Sequence, residues 1–281
     1  WRILRVLDAT TGKPLVDEVR WAKFTDLAWV GSEGFLYSRF PEPKEGEAFQ
    51  ALNYNQAVYF HRIGTSQAED RLVFATPDHP ERGHTAQVTQ DGRLAIVYSH
   101  IGTDARYELH VIDLAARGRA RWKARPLVTG FDHDWRLGDG MGQSLWFVTN
   151  QDAPRYRLVA IDLSKRDPQW RQLVAQSAET LERASIVGTQ LILSYLKDAS
   201  TRAVIFDLAG KSVRTIALNG IGTVSGFDGR PGDPETFYSF ASFNRPPTIY
   251  RMNLATGKSA PFAAPKLRFD PNDFVVDQQF Y

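Results

Sequence analysis

One strand-and-turn phrase recurs six times along the chain, at intervals of 45–56 residues. Two copies read "YELHVIDLAAR" and "YRLVAIDLSKR", each an apolar strand that ends at an aspartate and a short polar turn. Self-similarity at such a period predicts an array of equivalent units, whereas an ordinary β-sandwich has no reason to repeat one phrase in register. The turn residues of the six copies are, in chain order, Asp8, Gly64, Asp113, Asp162, Asp207 and Asn253.

Two further strand phrases precede five of the copies, and a fourth strand follows. Turns that contain Gly or Asp separate these strands, as in "QDGRLAIVYS" and "GQSLWFVTN", and such turns suit antiparallel hairpins. Four strands at this spacing are typical of a β-propeller blade. The sequence therefore predicts an all-β chain, a β-propeller with two outer strands of one blade at the N-terminus and five complete blades that begin at Phe24, Gly83, Phe131, Leu181 and Gly222.

Small residues recur in the first strands of several blades, as expected for strands that are crowded by their neighbours. The best helix candidate is "AQSAETLERA" (Ala175–Ala184), and we interpret it as a connector between blades because no longer helical pattern occurs. The small residues that support the crowding argument are Ala28, Ala86, Ala184 and Gly226.

The charges of the chain nearly balance, with 34 basic and 32 acidic residues. Electrostatics therefore give no reason to expect a nucleic-acid partner. The chain has no cysteine, which excludes disulfides, thiolate zinc sites and cysteine nucleophiles but is compatible with both the cytoplasm and the periplasm. No apolar run approaches the roughly 18 residues of a membrane-spanning helix, so we expect no membrane partner.

The chemistry-bearing motifs of common enzymes are missing from the sequence. No G-x-S-x-G nucleophile elbow occurs, and the six histidines show no metal-ligand spacing. No glycine-rich loop leads into a helix that could hold a phosphate. We therefore expect no catalytic triad, no metal and no cofactor within this chain, and whether it forms part of an enzyme stays open at this point.

Three segments resemble the prolyl oligopeptidase (prolyl endopeptidase) family. "AVYFHRIGTSQAEDRLVF" (Ala57–Phe74) is similar to a blade segment of that family, and "FYSFASFNRPPTIYRMNL" (Phe237–Leu254) is similar to its last blade. "DFVVDQQFY" (Asp273–Tyr281) looks like the junction at which the family's chain leaves the propeller. The resemblance runs in order over essentially the whole chain, and it implies a seven-bladed propeller stacked on a serine peptidase domain that cleaves short peptides after proline.

On this resemblance, residues 1–270 form a partial propeller that lacks the first blade and half of the second. Residues 271–281 form the junction into an α/β-hydrolase domain, so that the catalytic serine, acid and histidine follow Tyr281. The implied role of the propeller is gating, because it restricts the access of folded proteins to the active site. The implied partners are that catalytic domain and short proline-containing peptides, with no nucleic acid and no membrane.

Five residues are candidates for a role at the substrate or at the partner domain. Four of them are interpreted as the exit ends of second strands in successive blades, where the family's propeller helps to wall the outer subsites: Thr103, Thr149, Asn150 and Ser194. Asp78, on a loop between blades, is a candidate for an interdomain ion pair. The alternative is that the four are ordinary strand ends and that Asp78 is a solvated turn residue.

Two other functions compete with the gating hypothesis. A propeller can act only as a protein-interaction platform without a catalytic role, but that use favours a closed ring with complete blades. A propeller enzyme with its site in the tunnel needs clustered acids or metal ligands on the first strands, which here offer mainly Ala, Thr, Ser, Gln and Val.

Overall fold

The structure of the chain, a computed structural model, describes residues 1–50 and 52–280, apart from the side chain of Arg119. Within these residues the regular structure is antiparallel β-sheet, and the helical elements are three short 3₁₀ turns at Gln67–Glu69, Gly118–Ala120 and Pro271–Asp273. The predicted all-β fold is therefore confirmed. No helix in the described part of the chain is long and apolar enough to cross a membrane.

The chain forms two compact units, Trp1–Asp134 and Trp135–Tyr281. The first unit contains an N-terminal hairpin and two four-stranded blades. The N-terminal hairpin is β1 (Arg2–Leu7) and β2 (Pro14–Ala22). Blade 1 is β3 (Ala28–Val30), β4 (Gly34–Arg39), β5 (Ala57–Arg62) and β6 (Arg71–Phe74), and blade 2 is β7 (Arg82–Val88), β8 (Leu94–Ile101), β9 (Glu108–Asp113) and β10 (Arg125–Val128).

The second unit contains three more four-stranded blades, each with its strands in chain order. Blade 3 is β11 (Trp135–Met141), β12 (Ser144–Thr149), β13 (Arg157–Asp162) and β14 (Arg171–Val174). Blade 4 is β15 (Thr180–Val187), β16 (Gln190–Lys197), β17 (Ser200–Asp207) and β18 (Ser212–Thr215). Blade 5 is β19 (Thr223–Asp228), β20 (Glu235–Ser242), β21 (Arg245–Asn253) and β22 (Ser259–Ala263).

The repeated aspartate closes the turn from the third strand of a blade to the fourth. In blade 2, Asp113 Oδ1 accepts hydrogen bonds from the backbone N–H groups of Ala115 (3.0 Å) and Ala116 (3.1 Å). The side-chain oxygen thus substitutes for a backbone acceptor, as Asx turns do. The equivalent oxygens accept backbone N–H groups in the N-terminal hairpin and in blades 3, 4 and 5, at Asp8, Asp162, Asp207 and Asn253.

Apolar side chains of adjacent blades interlock within each unit. The central strands of blades 1 to 4 bury residues on both faces, whereas those of blade 5 bury mainly one face. The core of the first unit joins blades 1 and 2 through Leu36, Phe60, Ala86, Val97 and Trp122. The cores of the second unit join blade 3 to blade 4 and blade 4 to blade 5, through residues such as Trp146, Ile186, Phe206, Tyr238 and Met252.

Crowding at the first strands is visible at two of the small residues of the repeat, Ala184 and Gly226. A Cβ on Gly138 would lie 3.3 Å from the Cβ of Ala184 and 3.3 Å from the carbonyl oxygen of Trp146, so a larger side chain would force these strands apart. A Cβ on Gly226 would lie 2.9 Å from the carbonyl oxygen of Phe237, and this glycine has a second reason. Its φ of +105° lies in a region that L side chains rarely adopt, and it stands at a register shift between β19 and β20.

Two details differ from the sequence-based expectations. The segment Ala175–Ala184 is a connector only up to Glu179, because β15 begins at Thr180. The N-terminal hairpin also joins blade 1 in one hydrogen-bonded sheet of six strands, since β2 pairs with β4 at Ala22 and Arg39.

Candidate functional site

A strained aromatic segment covers the end of β2 and the loop that leads to the first strand of blade 1. Trp21 (φ 62°) and Phe24 (φ 52°) both have left-handed backbone conformations, which bulky residues rarely adopt. The Phe24 side chain is 60% exposed. The Lys23 ammonium lies 5.2 Å from the centroid of the Phe24 ring and 5.3 Å from that of Trp1. Backbone strain that persists next to an exposed aromatic ring is typical of functional sites.

Gln56 connects this segment to blade 2. Its side-chain Nε2 donates to the carbonyl oxygens of Lys23 (2.9 Å) and Phe24 (3.2 Å), and its Oε1 accepts the backbone N–H of His84 (2.8 Å). The residue is only 2% exposed, and it directly precedes β5. The amide therefore uses both of its donor hydrogens and its acceptor within the protein.

Blade 2 places a histidine close to Gln56, and a threonine follows it three positions later. The ring of His100 packs on Gly83, where an added Cβ would lie 2.4 Å from His100 Cε1 and 3.1 Å from Gln56 Oε1. His100 Nδ1 lies 2.9 Å from the carbonyl oxygen of Gly102, which holds the imidazole over the end of β8. Thr103 follows Gly102 in the chain and is exposed. We call Phe24, His100 and Thr103 together the Phe24 surface.

A buried histidine supports the Phe24 surface from within blade 2. Both ring nitrogens of His84 meet hydroxyl groups, Nδ1 at Ser99 Oγ and Nε2 at Thr76 Oγ1, each at 3.0 Å. Burial is the main cause that lowers the pKa of His84 to about 4, with smaller contributions from the nearby charges of His100, Arg82 and His110. The imidazole is therefore neutral near pH 7. The pair with Ser99 is not a nucleophile and base open to a substrate, because both side chains are fully buried.

A second polar cluster attaches the N-terminal hairpin to blade 1. His61 lies between two carboxylates, with Nδ1 2.7 Å from Asp70 Oδ1 and Nε2 3.1 Å from Asp17 Oδ1. Tyr37 donates its hydroxyl to Asp70 Oδ2 (2.5 Å), and the backbone N–H of Gly64 donates to Asp17 Oδ1 (2.6 Å). Burial raises the pKa of Tyr37, and its hydrogen bond to Asp70 raises it further. Because the imidazole and both carboxylates are buried, this cluster holds structure together and is closed to substrate.

The sequence-predicted site residues fall in different environments. Thr103 is exposed, three positions after His100 in the chain. Asp78 is exposed on a loop that is closed by a hydrogen bond from the His79 N–H to the Thr76 carbonyl. Ser194 is half-buried in the middle of β16, so the expectation that it stands at the exit of the strand is wrong. The exit of that strand is Lys197.

Blade 3 carries the remaining two predicted residues. Thr149 ends β12 as expected, but its side chain is fully buried, and its hydroxyl accepts the backbone N–H of Gln151 at 3.2 Å. Asn150 is half-buried, and its carbonyl accepts the N–H of Ala153 at 3.0 Å. Both residues therefore shape the turn that leaves the strand.

The sequence analysis did not single out Phe24, Gln56 or His100 as site residues. Phe24 was noted only as the start of a blade, and His100 only as one of six histidines. The available signal was an aromatic residue placed in the polar turn segment "KFTD" ahead of a strand, where it cannot contribute to the core. Among the described residues, no group of three or more His, Asp or Glu side chains could hold a metal ion.

Comparison with known proteins gives this fold and this surface their context. A family model described as "Prolyl oligopeptidase, N-terminal beta-propeller domain" matches residues 1–265. The prolyl endopeptidase of Elizabethkingia meningoseptica is 35% identical over 100% of this chain, which covers 39% of that protein. The prolyl oligopeptidase ophP of Omphalotus olearius is 31% identical over 94% of this chain, which covers 36% of that protein.

Solved structures agree with the sequence relatives. One structure from a study of two prolyl endopeptidases superposes with a TM-score of 0.90 at 41% identity, over 97% of this chain and 39% of that one. Prolyl oligopeptidase B from Galerina marginata, bound to a 25-residue macrocyclisation substrate, gives a TM-score of 0.84 at 26% identity, over 93% of this chain and 37% of that one. The chain thus spans about two-fifths of the length of the relatives it matches. It belongs to the prolyl oligopeptidase family and corresponds to the N-terminal β-propeller domain of that family.

Proposed function

We propose that this propeller is the substrate-gating domain of a serine peptidase that cleaves short peptides after proline. The observation that carries the proposal is the match of residues 1–265 to the family's propeller model. The names of the relatives add support, because they are prolyl endopeptidases and prolyl oligopeptidases. Three of the related structures were solved with substrates bound, of 25 and 35 residues.

The Phe24 surface is the part of this chain that we propose to contact the peptide. An exposed aromatic ring offers a flat apolar face to proline or another apolar side chain. On this proposal His100 and the Thr103 hydroxyl supply the hydrogen-bonding groups, since a few polar groups around an apolar contact fix the orientation of a ligand. The surface has no activated nucleophile, so its contribution is binding and the chemistry belongs to the catalytic domain.

The other predicted residues keep more limited roles in the proposal. Asn150 and Ser194 remain candidates for the substrate wall. Thr149, whose hydroxyl is buried, would act by holding the turn that carries Asn150. Asp78 remains a candidate for an ion pair with the catalytic domain, since its carboxylate is exposed on a loop between strands.

An apolar patch near the C-terminus supports the proposed partner domain. Asn244, in the turn between β20 and β21, donates from Nδ2 to the carbonyl oxygens of Pro271 (2.9 Å) and Phe274 (3.0 Å), which fixes the segment that follows blade 5. Phe243 is 100% exposed and Val275 is 91% exposed on this patch. Clustered exposed apolar side chains indicate a surface that a partner covers. We propose that residues 271–281 lead into the hydrolase domain there; Tyr281 lies outside the described residues.

Gating follows from the energetics of protein folding. A peptide without stable structure can reach an enclosed site at little cost. A folded protein would have to unfold first, and that costs about 5–15 kcal/mol. A domain that narrows the approach to the active site therefore selects short peptides by their lack of structure.

The experiment that tests the proposal uses the parent protein that carries this propeller. It is assayed on a fluorogenic peptide with a single proline and on the same peptide with alanine in that position. We expect cleavage after proline, inhibition by a serine-directed phosphonate, and a higher KM in the Phe24→Ala variant. A parent protein that cleaves neither peptide would contradict the proposed activity, and an unchanged KM would contradict the role of the Phe24 surface.

A further inference from the structure

The left-handed backbone at Phe24 needs an explanation, because nothing in its own side chain favours that conformation. A bulky residue in this region costs about 1–3 kcal/mol and persists only where the surroundings impose it. The peptide groups before and after Phe24 carry the carbonyl oxygens of Lys23 and Phe24. Those two peptide planes are related by the φ and ψ angles of Phe24 alone.

Gln56 hydrogen-bonds to the peptide groups on both sides of Phe24. In an extended segment successive carbonyl groups point to opposite sides, so a single donor cannot reach both. Here one nitrogen, Nε2 of Gln56, donates to both carbonyl oxygens, at 2.9 Å for Lys23 and 3.2 Å for Phe24. Two carbonyl groups can converge on one donor only if the residue between them leaves the extended conformation, as Phe24 does with a φ of 52°.

The other end of the amide is fixed as well. Gln56 Oε1 accepts the backbone N–H of His84 at 2.8 Å, and this hydrogen bond sets which atom of the amide faces Phe24. His84 follows Gly83, the residue on which His100 packs. One buried side chain thus connects the strained backbone of Phe24 to the strand that supports His100.

We propose that Gln56 is a positioning residue for peptide binding, which holds the Phe24 ring in the orientation that contacts the substrate. This inference rests on the proposed function of the Phe24 surface. Gln56 is buried and touches no substrate itself, so its effect passes through Phe24.

The most selective variant is Gln56→Glu. A carboxyl group of the same shape can still accept the His84 N–H, but it cannot replace both donor hydrogens. When ionised it has none and places a negative charge against two carbonyl oxygens, and when protonated it has one. We expect Phe24 to relax to a negative φ and its ring to leave the substrate wall. A second variant, Gln56→Ala, removes the amide without adding charge and serves if the glutamate variant folds poorly.

A matched control exists in the same unit. Gln67 also bridges two backbone groups of one segment, since its Nε2 donates to the Arg20 carbonyl (3.0 Å) and its Oε1 accepts the Arg20 N–H (2.9 Å). Gln67→Glu therefore removes the same kind of donor while leaving Phe24 and its contacts to Gln56 in place. It controls for the loss of stability that either substitution brings.

The test measures KM and kcat of the parent protein on a short proline-containing peptide. We expect Gln56→Glu and Phe24→Ala each to raise KM about tenfold with kcat nearly unchanged, and Gln67→Glu to leave both constants near the wild-type values. In the double variant, Gln56→Glu should add nothing to the effect of Phe24→Ala, because it acts through that ring.

The outcomes separate this inference from the function on which it rests. If Phe24→Ala raises KM but neither Gln56 variant does, or if the two effects add fully, the positioning role is overturned and the proposed function stands. If Phe24→Ala leaves KM unchanged, the proposed role of the Phe24 surface fails, and the positioning role fails with it.

Discussion

His61 Nδ1 lies 2.7 Å from Asp70 Oδ1, and both side chains are fully buried. The same imidazole contacts Asp17 of the N-terminal hairpin through Nε2, so one residue joins blade 1 to a strand that precedes it by 44 positions. The segment "HRIGTSQAED", which carries part of the family resemblance, therefore acts as an attachment for that hairpin.

Replacing His61 by glutamine should detach the N-terminal hairpin. A glutamine amide has only one donor nitrogen, so at least one of the two buried carboxylates loses the partner it had in the imidazole, a change that costs about 3–5 kcal/mol. Hydrogen exchange of the amides in β1 and β2 should accelerate strongly, while exchange in blade 5 stays unchanged. His79→Gln is the control. The His79 side chain is half exposed, and its Nδ1 lies 3.7 Å from Glu81 Oε1. Such surface pairs contribute about 0–1 kcal/mol to the free energy of unfolding. Equal hydrogen-exchange rates for the β1 and β2 amides in the two variants would contradict the role of His61 in attaching the hairpin.

The buried His84 should make the stability of the chain depend on pH. Its pKa of about 4 in the folded state lies below the ordinary value of 6.5, so the unfolded chain takes up a proton first as the pH falls. The stabilisation is therefore complete above pH 6.5 and is lost as the pH falls towards 4. The loss amounts to about 3 kcal/mol in total.

The His84→Gln variant isolates this effect. It should be less stable than the wild type at pH 7, because the hydrogen bonds to Ser99 and Thr76 are altered, but its stability should fall less steeply between pH 6.5 and 4. The measurement is the denaturant midpoint at several pH values. Parallel pH profiles for the two proteins would rule out His84 as the source.

The turn aspartates should each stabilise one hairpin locally. Asp207 Oδ1 accepts the backbone N–H groups of Ala209 (3.0 Å) and Lys211 (2.8 Å). We expect Asp207→Ala to lower the free energy of unfolding by about 1 kcal/mol, since two turn amides lose their acceptor. Asp167→Ala is the control, because it removes only one exposed hydrogen bond, from Gln169 to Asp167. Its free energy of unfolding should stay within about 0.5 kcal/mol of the wild-type value. A loss of the same size in both variants would show that the repeated aspartate has no special role.

The repeat made the strands, the blades and the turns predictable from the sequence. Each depends on local pattern: the alternation of apolar residues, the Asp at the turn, and small residues such as Ala184 where strands crowd. The family resemblance rested on segments of the same kind, and both the family model and the relatives confirm it.

The candidate site was much less predictable, because it depends on contacts between distant residues and on backbone conformation. The hydrogen bonds of Gln56 to Lys23 and Phe24 span 33 and 32 positions and leave no local pattern. Ser194 was misplaced for a different reason. The hairpin of β16 and β17 extends to a tight turn at Asp198 and Ala199, both with positive φ, so the exit of the strand lies farther along than the spacing suggested.

The central claim, that the propeller gates access to the active site, is tested most directly with one peptide in two settings. A proline-containing segment is offered to the parent protein either as a free peptide or within a long flexible linker that joins two stably folded domains. The segment is unstructured in both, so only the size of what is attached to it differs. We predict efficient cleavage of the free peptide and a rate at least about a hundredfold lower for the tethered segment, since passage would require unfolding a domain. Equal kcat/KM values for the two substrates would contradict the gating function.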